Sequence, residues 1–206
     1  MTDSDIFELI CYFKENTLLG GRKLPPLNYR KDVLSAAYES FMSDYKRWFP
    51  DDVIIDEYKF LKTSQLQVMF LYRVAHECYC LPEEDELKKD ADIYGLIGRS
   101  VGQMEIFYSS EIGRGLKINH GVGSVIGAKC KIGENCMIHQ NCTIGAKLGG
   151  RPTIGNNVIM YAGSMVLGDI TIGDNTIIGA NAVVLRSFPE NSILVGSPAK
   201  NISIQE

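Results

Sequence analysis

A period of six residues dominates the second half of this 206-residue chain. Such a period matches neither the 3.6 residues of an α-helical turn nor the two-residue alternation of a simple strand. It is typical of a parallel β-helix, in which short flat strands stack coil upon coil and each face buries one aliphatic side chain. The repeating positions are Ile106, Ile112, Ile118, Ile126, Ile132, Ile138, Ile144, Ile154, Met160, Val166, Ile172, Ile178 and Val184.

Small residues accompany this repeat at two further places. A glycine follows the aliphatic residue at positions 113, 127, 133, 145, 155, 173 and 179, which predicts tight corners with positive φ. The place four residues after the aliphatic residue holds a small side chain that we expect to point inward. Cys130, Cys136 and Cys142 occupy this place, so they are predicted to be reduced, buried thiols that pack as small apolar groups.

The repeat is interrupted twice. The interval from Ile118 to Ile126 is eight residues, which puts two extra residues within 120–123, and the interval from Ile144 to Ile154 is ten, which puts four extra within 146–151. Loops that leave a regular scaffold often carry function, because the scaffold holds them in place.

The first half of the chain has a different character. Apolar residues recur at helical spacing in 4–15, 28–49 and 64–79, and a further helix is expected to start within 82–92. The segment 18–27 contains Gly-Gly and Pro-Pro and is predicted to be a loop. We therefore predict an α-helical N-terminal domain over 1–100 and a β-helical domain over 101–206.

Composition excludes several classes of function. The net charge is −4 and no basic stripe is present, so a nucleic-acid partner is not expected. No apolar run approaches the ~20 residues of a membrane span, and the N-terminus lacks the pattern of a secretory signal. We predict a cytoplasmic protein with reduced cysteines.

Four motifs together resemble the serine O-acetyltransferases of the hexapeptide acyltransferase superfamily. They are Asn-His-Gly-Val-Gly at 119–123, Gln-Asn-Cys-Thr-Ile-Gly at 140–145, Gly-x-Pro-Ala-Lys at 196–200, and Tyr-Arg-x-x-His at 72–76. The resemblance implies a left-handed parallel β-helix and a homotrimer or a dimer of trimers. It also implies acetyl-CoA as co-substrate, bound between neighbouring coils of two subunits.

The resemblance also implies the catalytic groups. His120 takes the place of the family's general base, a task that suits an imidazole because its pKa lies near neutral pH. Glu105 stands fifteen residues upstream, where the family has an aspartate that orients and stabilises the base. A buried structural histidine and a solvated surface carboxylate are the alternative interpretations of these two residues.

Five residues are assigned to the cofactor by the same resemblance. The backbone N–H groups of Gly145 and Ala146 match the family's oxyanion site. Ala162 and Ala180 lie 18 residues apart, so they are expected to stack in one outer column that leaves room for the pantetheine arm, and Lys200 is expected to meet a CoA phosphate. The alternatives are corners that need small residues in any coil, and a solvated lysine.

The acceptor pocket departs from the family pattern. Asn119 stands where the family has an aspartate that pairs with an ammonium group, and the loop carrying Arg151 is short and lacks the histidine that usually follows the arginine. Asp52, or its neighbour Asp51, falls near the place of a third substrate-binding carboxylate.

These residues leave three functions open. The first is an acetyl-CoA-dependent serine O-acetyltransferase, which converts L-serine and acetyl-CoA to O-acetylserine and CoA, as in cysteine biosynthesis. The second is O-acetylation of a sugar hydroxyl of a surface polysaccharide, or of another metabolite, and the third is a non-catalytic trimeric scaffold. We expect no metal, because His139 can stand near His120 but the third histidine, His76, lies in the helical half.

Overall fold

The computed structural model describes residues 1–16 and 24–203. The chain forms two compact units, Met1–Tyr108 and Ser109–Glu206. The predicted division between residues 100 and 101 falls within the last helix of the first unit, which continues to Gly102. Residues 18–23 of the predicted loop lie outside the described residues, and 24–27 carry no regular element.

The first unit is helical. Its elements are α1 (Asp3–Asn16), α2 (Lys31–Lys46), α3 (Glu57–Leu61), α4 (Ser64–Cys80), a 3₁₀ turn (Glu86–Lys89), α5 (Asp90–Gly102) and a short strand, β1 (Glu105–Ile106). Helix α4 is the centre of the unit, because it is buried continuously from Leu66 to Ala75. Helix α3 was not predicted; its five residues are too few for a periodic pattern, although Asp56 caps it by accepting the Lys59 N–H at 2.8 Å.

A buried ion pair joins two helices of this unit. The Arg73 guanidinium of α4 donates from Nε and Nη2 to the two carboxylate oxygens of Asp44 in α2, at 2.9 and 3.0 Å. Both side chains are almost fully buried. Removing either partner would leave an uncompensated charge in the core, so the pair fixes how α2 and α4 meet.

The second unit is a left-handed parallel β-helix of three faces, as predicted. The strands are β2 (Glu111–Ile112), β3 (Lys117–Ile118), β4 (Val125–Ile126), β5 (Lys131–Ile132), β6 (Met137–Ile138), β7 (Thr143–Gly145), β8 (Thr153–Ile154), β9 (Ile159–Met160), β10 (Met165–Leu167), β11 (Thr171–Ile172), β12 (Ile177–Ile178), β13 (Val183–Val184), β14 (Ile193–Val195) and β15 (Lys200–Asn201). On face 1, β4, β7, β10 and β13 stack in that order. Face 2 stacks β2, β5, β8 and β11, and face 3 stacks β3, β6, β9, β12, β14 and β15. Among the strands of residues 109–203, β15 alone runs antiparallel to its neighbour.

The interior of the prism is filled as the period predicts. The twelve repeating aliphatic positions of this unit, from Ile112 to Val184, are buried, and so is Ile106 in the first unit. Cys130, Cys136 and Cys142 are buried free thiols, and their successors Ser164, Thr176 and Ala182 are buried in the corresponding slots. Stacking the coils therefore buries what one coil cannot bury alone.

The glycines that follow the aliphatic residues have a different role from the one predicted. None of the seven has positive φ; the left-handed corner residues are mostly asparagines, such as Asn135, Asn157 and Asn175. The glycines are needed because successive coils approach closely there. A Cβ on Gly133 would lie 2.6 Å from the carbonyl carbon of Gly155 in the next coil, and a Cβ on Gly113 would lie 2.7 Å from that of Gly133.

Within residues 1–16 and 24–203, no helix combines the length and the apolar character needed to cross a bilayer.

Candidate active site

His120 lies on a bulge at the corner between faces 3 and 1. Asn119 still pairs with the next coil, since its N–H donates to the Ile138 carbonyl at 2.8 Å, and the ladder resumes where the Asn141 N–H donates to the Val122 carbonyl at 3.0 Å. His120 and Gly121 are therefore the two extra residues, with no counterpart in the coil below. The His120 backbone is left-handed, with φ 63°, and its side chain is exposed. The ring is not sealed inside the prism, so the alternative of a buried structural histidine is wrong.

A column of corner residues runs down the same edge from the bulge. Val122 is followed by Gln140, Ala162 and Ala180. The carbonyl of each of the first three accepts the N–H of the residue that follows the next member of the column. The two alanines stack as predicted, and their small side chains leave the edge open beneath His120. Lys200 is exposed in β15 and pairs with Val195 of β14. It therefore lies on face 3, at the opposite end of the stack from β3, the strand before His120.

His139 lies on face 3 directly below Asn119 and next to the bulge. Its ring stacks on that of Tyr161 in the following coil, with centroids 5.1 Å apart. Burial lowers the pKa of His139 below its ordinary value, and the neighbouring His120 lowers it further, so this imidazole is held neutral. The two histidines are therefore neighbours, as the spacing predicts.

Two buried polar atoms beside the bulge have no hydrogen-bond partner among the described residues. They are Nε2 of His139 and Oε1 of Gln140. Burying such an atom unpaired costs about 1–3 kcal/mol, so unpaired groups are rare away from functional sites. Gln140 entered the sequence analysis only as the first residue of the motif at 140–145, without a role of its own. Tyr161 was not singled out at all, because outward-pointing side chains of face 3 follow no repeat.

The second interruption forms a small hairpin at the corner between faces 1 and 2. Lys147 and Gly150 exchange two backbone hydrogen bonds of 3.1 Å, and Leu148 and Gly149 between them both have positive φ. This is the geometry of a type I′ turn. The Leu148 side chain is 99% exposed at its tip.

Arg151 fastens this hairpin to the coil above. Its Nε donates to the Ala128 carbonyl at 2.6 Å and its Nη1 donates to the Gly149 carbonyl at 2.7 Å. Gly145 is buried at the end of β7, where its carbonyl accepts the Gly168 N–H, and Ala146 is exposed at the start of the hairpin. The predicted oxyanion groups and one predicted acceptor residue, Arg151, therefore share one corner.

The predicted site residues of the β-helix thus divide between two corners of the prism. His120, Asn119, Ala162 and Ala180 lie where face 3 meets face 1, whereas Gly145, Ala146 and Arg151 lie where face 1 meets face 2. One face of five to six extended residues separates these corners, roughly 15–20 Å. A single chain does not bring the two groups together.

The two predicted carboxylates of the helical unit both have cationic partners. Glu105 accepts a hydrogen bond from Nη1 of Arg99 at 3.0 Å, in a small cavity of about 130 Å³ that Asp92 and Tyr108 also line. Asp52 accepts two hydrogen bonds from Lys59, at 2.7 and 2.8 Å. Hydrogen bonds from Lys59 and then from Tyr45 lower the pKa of Asp52, so it is ionised and serves the local structure.

The part of the chain that the structure describes contains no cluster of three or more His, Cys, Asp or Glu side chains that could hold a metal ion.

Comparisons with known proteins agree with this architecture. Residues 151–186 match the bacterial transferase hexapeptide model (six repeats), and residues 129–162 match the hexapeptide repeat of succinyl-transferase. The chain is 40% identical over 149 residues to the serine acetyltransferase of Helicobacter pylori, covering 68% of this chain and 87% of that protein. It is 42% identical over 139 residues to that of Staphylococcus xylosus, covering 65% and 62%.

Solved structures give the same result. The serine acetyltransferase of Neisseria gonorrhoeae in complex with serine superposes with a TM-score of 0.70 at 27% identity, over 84% of this chain and 74% of that one. The apoenzyme from soybean superposes with a TM-score of 0.71 at 26% identity, over 83% and 74%. The predicted O-acetyltransferase class and β-helical fold are confirmed, and the chain belongs to the serine acetyltransferase family of hexapeptide-repeat acyltransferases.

Proposed function

We propose that this chain transfers the acetyl group of acetyl-CoA to the hydroxyl of L-serine, giving O-acetylserine and CoA. The observation that carries the proposal is the His120 bulge, which exposes one imidazole at the head of a column of small residues. The named serine acetyltransferases that the chain resembles, one of them solved with serine, support serine as the acceptor.

His120 is the general base of the proposed reaction. Its neutral imidazole accepts the hydroxyl proton while the serine oxygen attacks the thioester carbonyl, because a free alcohol is a weak nucleophile near neutral pH. The tetrahedral intermediate then expels the CoA thiolate, which takes the proton back from the imidazolium. Glu105 is proposed to stabilise that imidazolium, and the 3.0 Å hydrogen bond from Arg99 holds its carboxylate in place.

The open edge below His120 is the proposed cofactor groove. Ala162 and Ala180 offer no side chain beyond Cβ, so a narrow pantetheine arm can lie against the backbone there. Lys200 is positioned at the far end of the same face, where an ammonium would attract a phosphate of acetyl-CoA. Asn119 and His139, both uncharged, lie beside the base on face 3. They are the proposed contacts of this subunit with the acceptor serine.

We further propose that the working enzyme is a homotrimer, alone or paired. The oxyanion amides of Gly145 and Ala146 and the Arg151 guanidinium lie one face away from the base in a single chain. In a three-fold assembly of three-sided prisms, the hairpin corner of one subunit can meet the His120 corner of the next. Each site would then take its base from one subunit and its anion-binding groups from another.

An acceptor screen tests the proposed function. The purified chain is mixed with acetyl-CoA and, in separate assays, L-serine, L-threonine, glucose, galactose and N-acetylglucosamine, and release of the CoA thiol is followed with a thiol reagent. We expect thiol release with L-serine at least tenfold faster than with any sugar. Faster release with a sugar would replace serine by that acceptor, and release with none of them would favour the non-catalytic scaffold.

A further inference from the structure

Helix α4 ends in a cysteine and histidine that face each other outside the proposed active site. Cys80 is exposed, and its Sγ lies 3.6 Å from Nε2 of His76, one helical turn earlier. The two residues belong to the helical unit, and the proposed acetyl transfer uses neither of them.

The His76 ring is fixed in one tautomer. Its Nδ1 lies 2.8 Å from the Tyr108 carbonyl oxygen, which can only accept, so the proton is on Nδ1. The ring also stacks on Tyr72, one turn before it, with centroids 5.7 Å apart. Nε2 therefore presents its lone pair to the Cys80 thiol, and the set comprises a nucleophile, a base and a group that orients the base.

The dyad lies at the C-terminal end of α4, which ends at Cys80. The Lys88 ammonium is nearby, where it donates to the Leu81 carbonyl at 3.0 Å and pairs with the Glu83 carboxylate at 3.0 Å. Because the charge of Lys88 is already paired, His76 is the group that can activate the Cys80 thiol.

Cys80 also differs from the other five cysteines of the chain in accessibility. Cys78, Cys130, Cys136 and Cys142 are buried, and Cys11 is half-buried with its pKa raised by desolvation. Reaction with a reagent in solution should therefore be selective for one site.

We propose that Cys80 is a reactive thiol that forms mixed disulfides with small disulfides, with His76 as its base. His76 takes the thiol proton at Nε2, and the Cys80 thiolate attacks one sulfur of the disulfide. A new S–S bond forms at Cys80 while the old S–S bond breaks, and the departing thiolate takes the proton from the His76 imidazolium. The cysteine is oxidised and one half of the disulfide is reduced, so no further reagent is needed.

The test uses the full chain and the neutral probe bis(2-hydroxyethyl) disulfide at pH 7. Mass spectrometry of the intact chain and of its peptides gives the rate at each cysteine. We expect Cys80 to react first and the H76Q variant to slow it at least fivefold, because an ordinary thiol of pKa ≈ 8.5 is only about 3% ionised at pH 7. The rate at Cys11 serves as the internal control and should not change in H76Q.

A slowing of less than fivefold in H76Q, or an equal slowing at Cys11, would overturn the role of His76. A second measurement needs no substitution: the native chain is compared with the chain unfolded in urea, where the dyad is absent. Faster reaction of native Cys80 supports the proposal. Slower reaction of the native thiol, or earlier labelling of Cys11, contradicts it.

Discussion

The backbone of His120 is the most unusual local feature of the proposed active site. A side chain with a Cβ in the left-handed region costs roughly 1 kcal/mol relative to glycine, and His120 has φ 63°. Its neighbour Gly121 has positive φ as well, and the Val122 N–H closes the turn on the His120 carbonyl at 2.5 Å. The strain is consistent with a residue kept for its imidazole rather than for its fit to the turn.

Replacing His120 should separate activity from stability. Asparagine tolerates left-handed φ well but cannot act as a base, so H120N should match or exceed the wild-type Tm while kcat/KM falls by ~10²–10⁴. H120A should lose activity to the same extent with a slightly lower Tm. Steady-state kinetics and thermal unfolding measure the two effects, and a loss of kcat/KM below threefold in H120N would contradict the assignment of the base.

His139 should make stability depend on pH on the acidic side. Its folded-state pKa is lowered by burial and by His120, so the unfolded chain binds the proton more readily. The free energy of unfolding therefore decreases as the pH falls through about 6.5, the ordinary histidine pKa. This decrease ends once the pH is below the folded-state pKa of His139.

We expect the Tm of the wild type to fall more than that of H139Q between pH 7.5 and pH 5.5. Scanning calorimetry of both proteins at the two pH values gives the difference, in which the titration of other groups cancels. Equal falls would show that His139 titrates as it does in the unfolded chain.

The β-helical elements show what a repeat can and cannot predict. Burial of the aliphatic residues and of Cys130, Cys136 and Cys142 follows from the period, since apolar and small side chains recur in the two inward slots of each six-residue repeat. The role of the glycines does not, because a clash with Gly155 in the next coil involves residues 22 positions away. Positive φ occurs instead at asparagines. The side chains of three of them also form a hydrogen-bonded ladder along one corner, from Asn157 to Asn175 to Asn191.

Gly133 provides a direct test of this close approach. A Cβ at this position would lie 2.6 Å from the Gly155 carbonyl carbon, so G133A must push two coils apart, at a cost of about 1–3 kcal/mol. G145A is the matched control, because its Cβ would make ordinary contacts of 3.8 Å. We expect Tm to fall by several degrees in G133A and to stay nearly constant in G145A; equal changes in both would contradict the explanation.

The helices were predicted less completely than the β-helix. The long helices α2 and α4 follow from apolar periodicity, but α2 is shorter than predicted, starting at Lys31 and ending at Lys46. Side-chain partners that belong to different elements were not predictable either: the Asp52 carboxylate binds Lys59 and Tyr45, and Glu105 pairs with Arg99. These contacts depend on how segments without a common period pack together.

At the scale of the molecule, the sequence predicted which groups belong to the proposed site, but not that they lie at two different corners of the prism. His120 and Arg151 each fall in an interruption of the repeat, yet the structure puts them at different corners. Which corner an insertion occupies depends on the face of the strand before it, and the three faces carry the same six-residue pattern.

Mixing variants tests whether each site draws on two subunits. H120A and R151A should each be nearly inactive, but co-expressed subunits should recover activity, because some interfaces then join an intact His120 to an intact Arg151. We expect up to about a quarter of the wild-type kcat for random assembly, measured on purified mixed oligomers. The H120A/R151A double variant, co-expressed with itself, is the control and should stay inactive.

No recovery in the mixed oligomers would contradict the shared site. Light scattering on the same samples gives their mass, and a mass of one chain would exclude the proposed trimer.

The stacking of face 3 also gives the molecule a fixed length scale. The strand before His120 and the strand that carries Lys200 are five strand spacings apart, about 24 Å. Hydrogen-bonded backbone sets that interval, so it cannot stretch. In the proposed complex, a thioester donor therefore fits only when the distance between its reacting end and its charged end matches this interval, and a shorter donor is held at one end only.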